Sequence, residues 1–412
     1  MSLARTVVAQ TDIQPLVTTQ LQMSVPVRNL RGMSKNRRPR TVRKVRHGAR
    51  QPIAPHGQGP VDTTFRDAIR SALARHPIGL LSVASLVING AKPDSIARLK
   101  SGRPDENYLD NVLGSLIGMQ SRETAVLLAL VAELLVDDPE PQRRCREELA
   151  RRGEHPPRWI AALPQAQAYR SVRRTHSLGD IEEFVVGVRL HGGRELTAAV
   201  QTDHNLLSGI VDAAVLPDPI DRALVQLADA NPDAEVKEMS LADTRVYIEH
   251  ALAMPRFAPV TETWPLYRGL VRWLAGRLPE GGVRRPPGWE YEAAEDVCDK
   301  FFASGSAAPF TASSHAELLI ELCDTGSGDP LRWSAARVEG AIGRPVFSSD
   351  WIPLEVVLDA PDLLRAFIPF AHAQSGIRDE LTSRAIAVID ETRLRYRREA
   401  LREAAREFDE AV

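Results

Sequence analysis

Two pairs of ionisable residues stand where reactive chemistry could use them. Glu182 and Glu183 open one alternating apolar stretch, Asp203 and His204 close the next, and Gly192-Gly193 lies between the stretches. Phe184, Val186, Val188 and Leu190 alternate with less apolar neighbours, and Leu196, Ala198 and Val200 alternate again, which predicts an antiparallel β-hairpin. Matching the apolar faces sets Leu190 opposite Leu196 and Val186 opposite Val200, around a three-residue loop, Gly192-Gly193-Arg194. In that register Glu182 falls opposite His204 and Glu183 opposite Asp203. Carboxylates directly across a strand pair repel, and a bound cation or a shared proton with one raised pKa would relieve them. With His176 and Asp180 close in sequence, the set suits a metal site of one or two histidines and two or three carboxylates, or an acid–base pair.

A structural role accounts for the same residues, and it is the stronger reading because perturbed carboxylates are often structural. If pairing frays before residue 203, Thr202 or Asp203 caps the helix expected next by accepting from its free N–H groups. His204 is then one polar residue at a helix start. No Walker A loop, GxGxxG, GxSxG or HExxH occurs in the chain. Gly326-Ser327-Gly328 follows a helix and carries no specific signal. Cys145, Cys298 and Cys323 are odd in number, widely spaced and form no CxxC, so neither a disulfide framework nor a zinc knuckle is indicated.

The elements that must position these groups are mostly helical. Of the 412 residues, 43% are hydrophobic and only 5% aromatic, so the core is built of Leu, Val, Ile and Ala. N-caps at Asp62–Thr64 open a helix with Phe65, Ile69 and Leu73 on one face. A second runs from Pro77 to Asn89-Gly90, and others follow at about 105–118, 121–137, 139–152 and 156–164. After the hairpin, Leu206, Leu207, Ile210, Val211 and Ala214 share the spacing of a further helix, ended before Pro217. Helices are also expected at about 220–229, 240–253, 264–278, 290–302, 313–325, 331–341, 351–358, 360–374 and 378–410. The fold class is therefore mainly α and multi-helical, with a small α+β insert holding one antiparallel hairpin. Residues 61–170 read as a helical domain, 171–283 as the α+β segment, and 284–412 as a C-terminal helical domain with a long last helix. The Pro/Gly-rich stretch Pro279–Gly288 is the internal linker.

Charge is segregated. Ten basic residues and no acid lie between Arg28 and Arg50, and residues 1–60 carry +10 in a chain whose net charge is −2. That leaves a body of −12, unlike a folded surface built to grip nucleic acid. Residues 1–60 show no sustained periodicity and read as a disordered arm; Met33 is a plausible internal start. Arg37, Arg38, Arg40, Arg43, Lys44 and Arg46 are the candidate phosphate contacts, giving salt-dependent, sequence-independent binding to nucleic acid or docking on an acidic protein. No aromatic residue is interleaved, so base stacking is not supported, and a solubilising tail is the plainer reading. The longest apolar run, Ala125–Val136, is interrupted by Glu133 and falls short of the ~18–20 residues of a membrane span. No secretory signal is visible either. A cytoplasmic protein with reduced thiols is expected.

Gly328-Asp329-Pro330-Leu331-Arg332-Trp333-Ser334, Asp350-Trp351-Ile352-Pro353 and the Leu364–His372 region resemble the C-terminal module of uncharacterised actinobacterial proteins. Thr202-Asp203-His204-Asn205-Leu206 and Trp264-Pro265-Leu266-Tyr267-Arg268 are similar to the central part of the same proteins. The resemblance spans about residues 62–395, and 46 Arg to 6 Lys suits a GC-rich genome. It implies no activity. Two functions remain in view: a non-enzymatic interaction protein, with weak nucleic-acid contact through the arm, or a metal-dependent or acid–base hydrolase using Glu182, Glu183, Asp203 and His204. The sequence does not identify a cofactor.

Overall fold

The computed structural model describes residues 60–91, 108–231, 234–255, 261–285, 291–343 and 352–411. Helices α1 (Pro60–Leu73), α2 (Ile78–Ala91), α3 (Tyr108–Gly118), α4 (Arg122–Leu134) and α5 (Pro139–Arg152) come first. α2 and α4 are apolar on most of their circumference because other elements surround them. α4 starts in a capping box: Ser121 Oγ accepts from the Thr124 N–H and Thr124 Oγ1 from the Ser121 N–H, each at 3.3 Å. α5 begins at Pro139 and ends at Gly153, whose φ of 61° is the left-handed stop that glycine adopts without strain.

Strands β1 (Gln167–Thr175), β2 (Ile181–Arg189), β3 (Glu195–Asp203), β4 (Gly209–Leu216) and β5 (Glu235–Met239) form one antiparallel sheet in the order β4-β3-β2-β1-β5. Helix α6 (Ile220–Ala230) precedes β5, and α7 (Leu241–Ala253) and α8 (Trp264–Ala275) follow it. Both faces of the sheet are covered. Phe184, Val186, Val188, Leu196, Ala198 and Val200 join the core of α1–α5, α7 and α8, while Val172, Val185 and Ala199 pack under Ile220 and Leu227 of α6. Burial on two sides is why the alternation along β2 is incomplete. α8 lies close along α2, where the Gly269 N–H donates to Ser85 Oγ at 2.9 Å. A Cβ on Gly269 would stand 3.0 Å from that oxygen, so the approach depends on glycine.

The single hairpin expected from the sequence is thus part of a five-stranded sheet, although the mainly α class holds. The helix expected over 206–214 is instead a short 3-10 turn, His204–Leu206, followed by β4. Leu207 and Ser208, with φ of 58° and 57°, turn the chain sharply there, and Ile210-Val211 then suits a pleated, doubly covered strand. The hairpin register also differs by two residues. The Leu190 N–H donates to the Arg194 carbonyl at 2.8 Å, so His191-Gly192-Gly193 form the loop, with φ of 83° and 75° at the two glycines. Leu196 pairs with Val188 and Val186 with Ala198. A shift of two keeps every side chain on its face, so hydrophobic matching alone does not distinguish the two registers.

The second apolar cluster is formed by α9 (Tyr291–Phe302), α10 (Ser314–Cys323), α11 (Ala335–Ile342), α12 (Ala360–Ser375) and α13 (Asp379–Ala411). Trp333 is fully buried at its centre, edge-on to Phe367 at 6.3 Å. Leu394 and Leu401, seven residues apart on α13, are exposed. No helix among the described residues is long and apolar enough to cross a membrane.

Candidate functional site

The open end of the β2–β3 hairpin carries the four residues singled out above, and the observed register changes their neighbours. Glu183 lies opposite Gln201 and Glu182 opposite Thr202, so the expected repulsion between Glu183 and Asp203 does not arise. Adjacent residues of a strand face opposite ways. Glu182 therefore shares the face of Phe184, and Glu183 that of Val185.

Glu183 is buried against Arg174, which is itself only 1% exposed. The two are direct partners across β1 and β2. Arg174 also donates to the carbonyls of Leu227 at 2.8 Å and Asn231 at 3.2 Å. It thus places a cation at the C-terminal end of α6, where the Leu227 carbonyl also accepts from the Asn231 N–H, as well as beside the carboxylate. His176 Nε2 approaches the other Glu183 oxygen at 3.8 Å.

Glu182 is buried between Arg173 and His204. Its Oε2 lies 3.4 Å from His204 Nε2 without an aligned hydrogen bond. Burial pushes the Glu182 pKa up, but His204 and Arg173 outweigh it and hold the carboxyl below its ordinary value. On the other side of the ring, His204 Nδ1 stands 2.9 Å from Ser208 Oγ. The backbone of His204 is fixed by its N–H donating to the Asp180 carbonyl at 2.8 Å.

Asp203 caps, as the structural reading of the sequence expects, but over a 3-10 turn. Its Oδ1 accepts from the Asn205 N–H at 2.8 Å. Burial raises its pKa, and nearby Asp180 adds to the effect. Replacing Asp203 by Ala is expected to cost about 1 kcal/mol in chemical denaturation, the usual value of a lost cap. A loss above about 3 kcal/mol would show that the carboxylate does more than cap.

The same turn meets the C-terminal helices. Asp180 is buried, which raises its pKa, while Ser334 and Asn205 favour its charged form and Arg337 adds a favourable charge. Arg337 is fully buried; it lies 4.1 Å from the Trp333 ring centroid and donates to the carbonyls of Cys323 at 2.6 Å, Arg332 at 2.7 Å and Asp329. Gly326, with φ of 61°, lets the loop press on Asn205: a Cβ there would stand 2.5 Å from Asn205 Oδ1. The Asp180–Asn205 region is thus a polar joint between sheet and C-terminal helices.

The four expected residues therefore do not converge on one point. Glu182 meets His204, Glu183 meets Arg174, and Asp203 serves the turn. Among the described residues no group of three or more His, Cys, Asp or Glu side chains is placed to hold a metal ion. Sequence reasoning did not single out Arg173, Arg174, Ser208 or Arg337. The two strand arginines carry a signal, since charge at neighbouring positions facing both sides of a covered sheet needs a buried partner; Ser208 carries none. Arg37, Arg38, Arg40, Arg43, Lys44 and Arg46 lie outside the described residues. Comparisons with protein families, curated proteins and solved structures found no match for this chain.

Proposed function

We propose that this is a non-enzymatic interaction protein, with a folded body that acts as a scaffold and a basic segment, residues 28–50, that contacts polyanions. The observation that carries the reading is the internal use of the ionisable cluster. Glu183 is neutralised by Arg174, Glu182 by Arg173, and Asp203 is engaged by its own turn. Buried charges arranged this way hold strands and helices together and leave little for a ligand. The other support is the separation of ten positive charges from an acidic remainder, which suits phosphate contact that depends on salt rather than sequence.

The test is filter binding of the full chain and of a variant lacking residues 28–50 to DNA and RNA. Retention at low salt is expected for the full chain, falling steeply as salt rises, with loss in the deletion. Equal binding by both proteins would remove the polyanion assignment.

One contact favours a second reading, an acid–base hydrolase. His204 lies between the charged Glu182 carboxylate and the hydroxyl of Ser208. A carboxylate on one ring nitrogen and a hydroxyl on the other is the arrangement by which a histidine serves as a general base. On this reading, His204→Gln abolishes an ester-hydrolysing activity of the full chain.

A further inference from the structure

Ser208 is unusual in its backbone as well as its neighbour. Among the described residues, Leu207 and Ser208 are the non-glycine residues with positive φ, 58° and 57°. Side chains are strained in this region and persist there only where the surroundings impose them. Here the closing of β3 onto β4 imposes them, since Asp203 pairs with Gly209 across the turn. The hydroxyl is thereby held 2.9 Å from His204 Nδ1 at a partly exposed position, while the imidazole and Glu182 behind it are buried. Leu207, the preceding residue, presents an exposed apolar side chain.

With Glu182 charged and facing Nε2, the favoured imidazole carries its proton on Nε2. Nδ1 is then left as an acceptor toward the Ser208 O–H. Arg173 offsets part of the carboxylate's charge and fixes its position from the opposite side. With this tautomer the proton that would leave Ser208 has a destination.

We propose that Ser208 is a nucleophile toward esters of short apolar acids, with His204 as its general base and Glu182 as the residue that orients the imidazole. The proposal rests on the hydrolase reading above and adds the attacking atom and the substrate class. Ser208 Oγ forms a bond to the acyl carbon as its proton passes to His204 Nδ1. The ester C–O bond then breaks, and the departing alkoxide takes that proton and leaves as an alcohol. Water attacks the acyl-serine by the same route, releasing the carboxylic acid and restoring Ser208 and neutral His204.

The test uses the full chain with a fluorophosphonate probe, which phosphonylates an activated serine with loss of fluoride, and with p-nitrophenyl butyrate. Expected are phosphonylation located on Ser208 by peptide mass spectrometry, and its absence from the heat-denatured protein. Labelling and hydrolysis should both vanish in Ser208→Ala and Ser208→Gly. The glycine variant adopts the positive φ freely, so a correctly folded control is available, checked by thermal unfolding. His204→Gln should slow labelling by about 100-fold or more. If hydrolysis needs His204 and Glu182 but survives in Ser208→Gly, His204 acts on water: the serine assignment falls and the hydrolase reading stands. If the folded chain shows neither Ser208 labelling nor His204-dependent hydrolysis, both fall together.

Discussion

Arg174→Met is expected to lower the unfolding free energy by about 3–5 kcal/mol, read as a fall in the urea midpoint at unchanged slope. The side chain is 1% exposed and serves two sets of acceptors, the Glu183 carboxylate and the carbonyls of Leu227 and Asn231. Methionine fills much of the same volume and replaces none of these contacts. Glu183 is then a buried carboxylate left with the His176 imidazole, whose Nε2 stands 3.8 Å away. Removing both partners, Arg174→Met with Glu183→Leu, should cost less than the sum of the single changes, because no charge is left stranded. A loss under about 1 kcal/mol for Arg174→Met would mean that water reaches the pair, and the interior position described here would be wrong.

The largest effect of pH is expected from His372. The ring is 1% exposed, Nε2 accepts from the Trp333 N–H at 3.0 Å, and Nδ1 lies 2.8 Å from Thr382 Oγ1. Burial lowers its pKa from 6.5 to about 4. Protonation would also set a second N–H against the Trp333 amide. Because the folded pKa is depressed, the unfolded chain binds more protons between those two values, and stability rises with pH across that window. The contribution is fully present above about pH 6.5, is lost as pH falls toward 4, and changes no further below it. A shift from 6.5 to about 4 corresponds to about 3 kcal/mol. Urea denaturation of the full chain and of His372→Gln at intervals from pH 7 to pH 4.5 isolates the effect. The glutamine variant, less stable at pH 7, should show a flatter profile; parallel profiles would assign the acid sensitivity to other groups.

The two expectations concern different units of the structure. Arg174 joins the sheet to α6, whereas His372 ties α12 to the Trp333 segment and, through Thr382, to α13. Trp333 in turn stacks on Arg337, which faces the Asp180 end of the hairpin. Damage at His372 thus reaches the polar joint, and the Ser208–His204–Glu182 geometry should be assayed only in variants that retain the native fold.

The helices were legible in the sequence, and the reason is local. α5, α7, α9, α12 and α13 stand within about two residues of the limits set by apolar spacing, prolines and glycines. A helix completes its hydrogen bonds within its own segment, so neighbouring residues suffice to signal it. The hairpin was legible for a similar reason, since its strands are adjacent and two glycines mark the turn. β1, β4 and β5 were not, because each depends on a partner supplied by the fold. β1, rich in arginine, is stabilised by β2 and β5 on either side, and β4 carries a spacing that fits a helix equally well. Glu182, Glu183, Asp203 and His204 were identified as a cluster by residue type and hairpin proximity alone. Which of them meet was decided by a two-residue difference in register, by arginines on β1 and by a positive-φ turn at Leu207-Ser208. These depend on pairing geometry and on burial against other segments, which no local hydrophobic pattern contains.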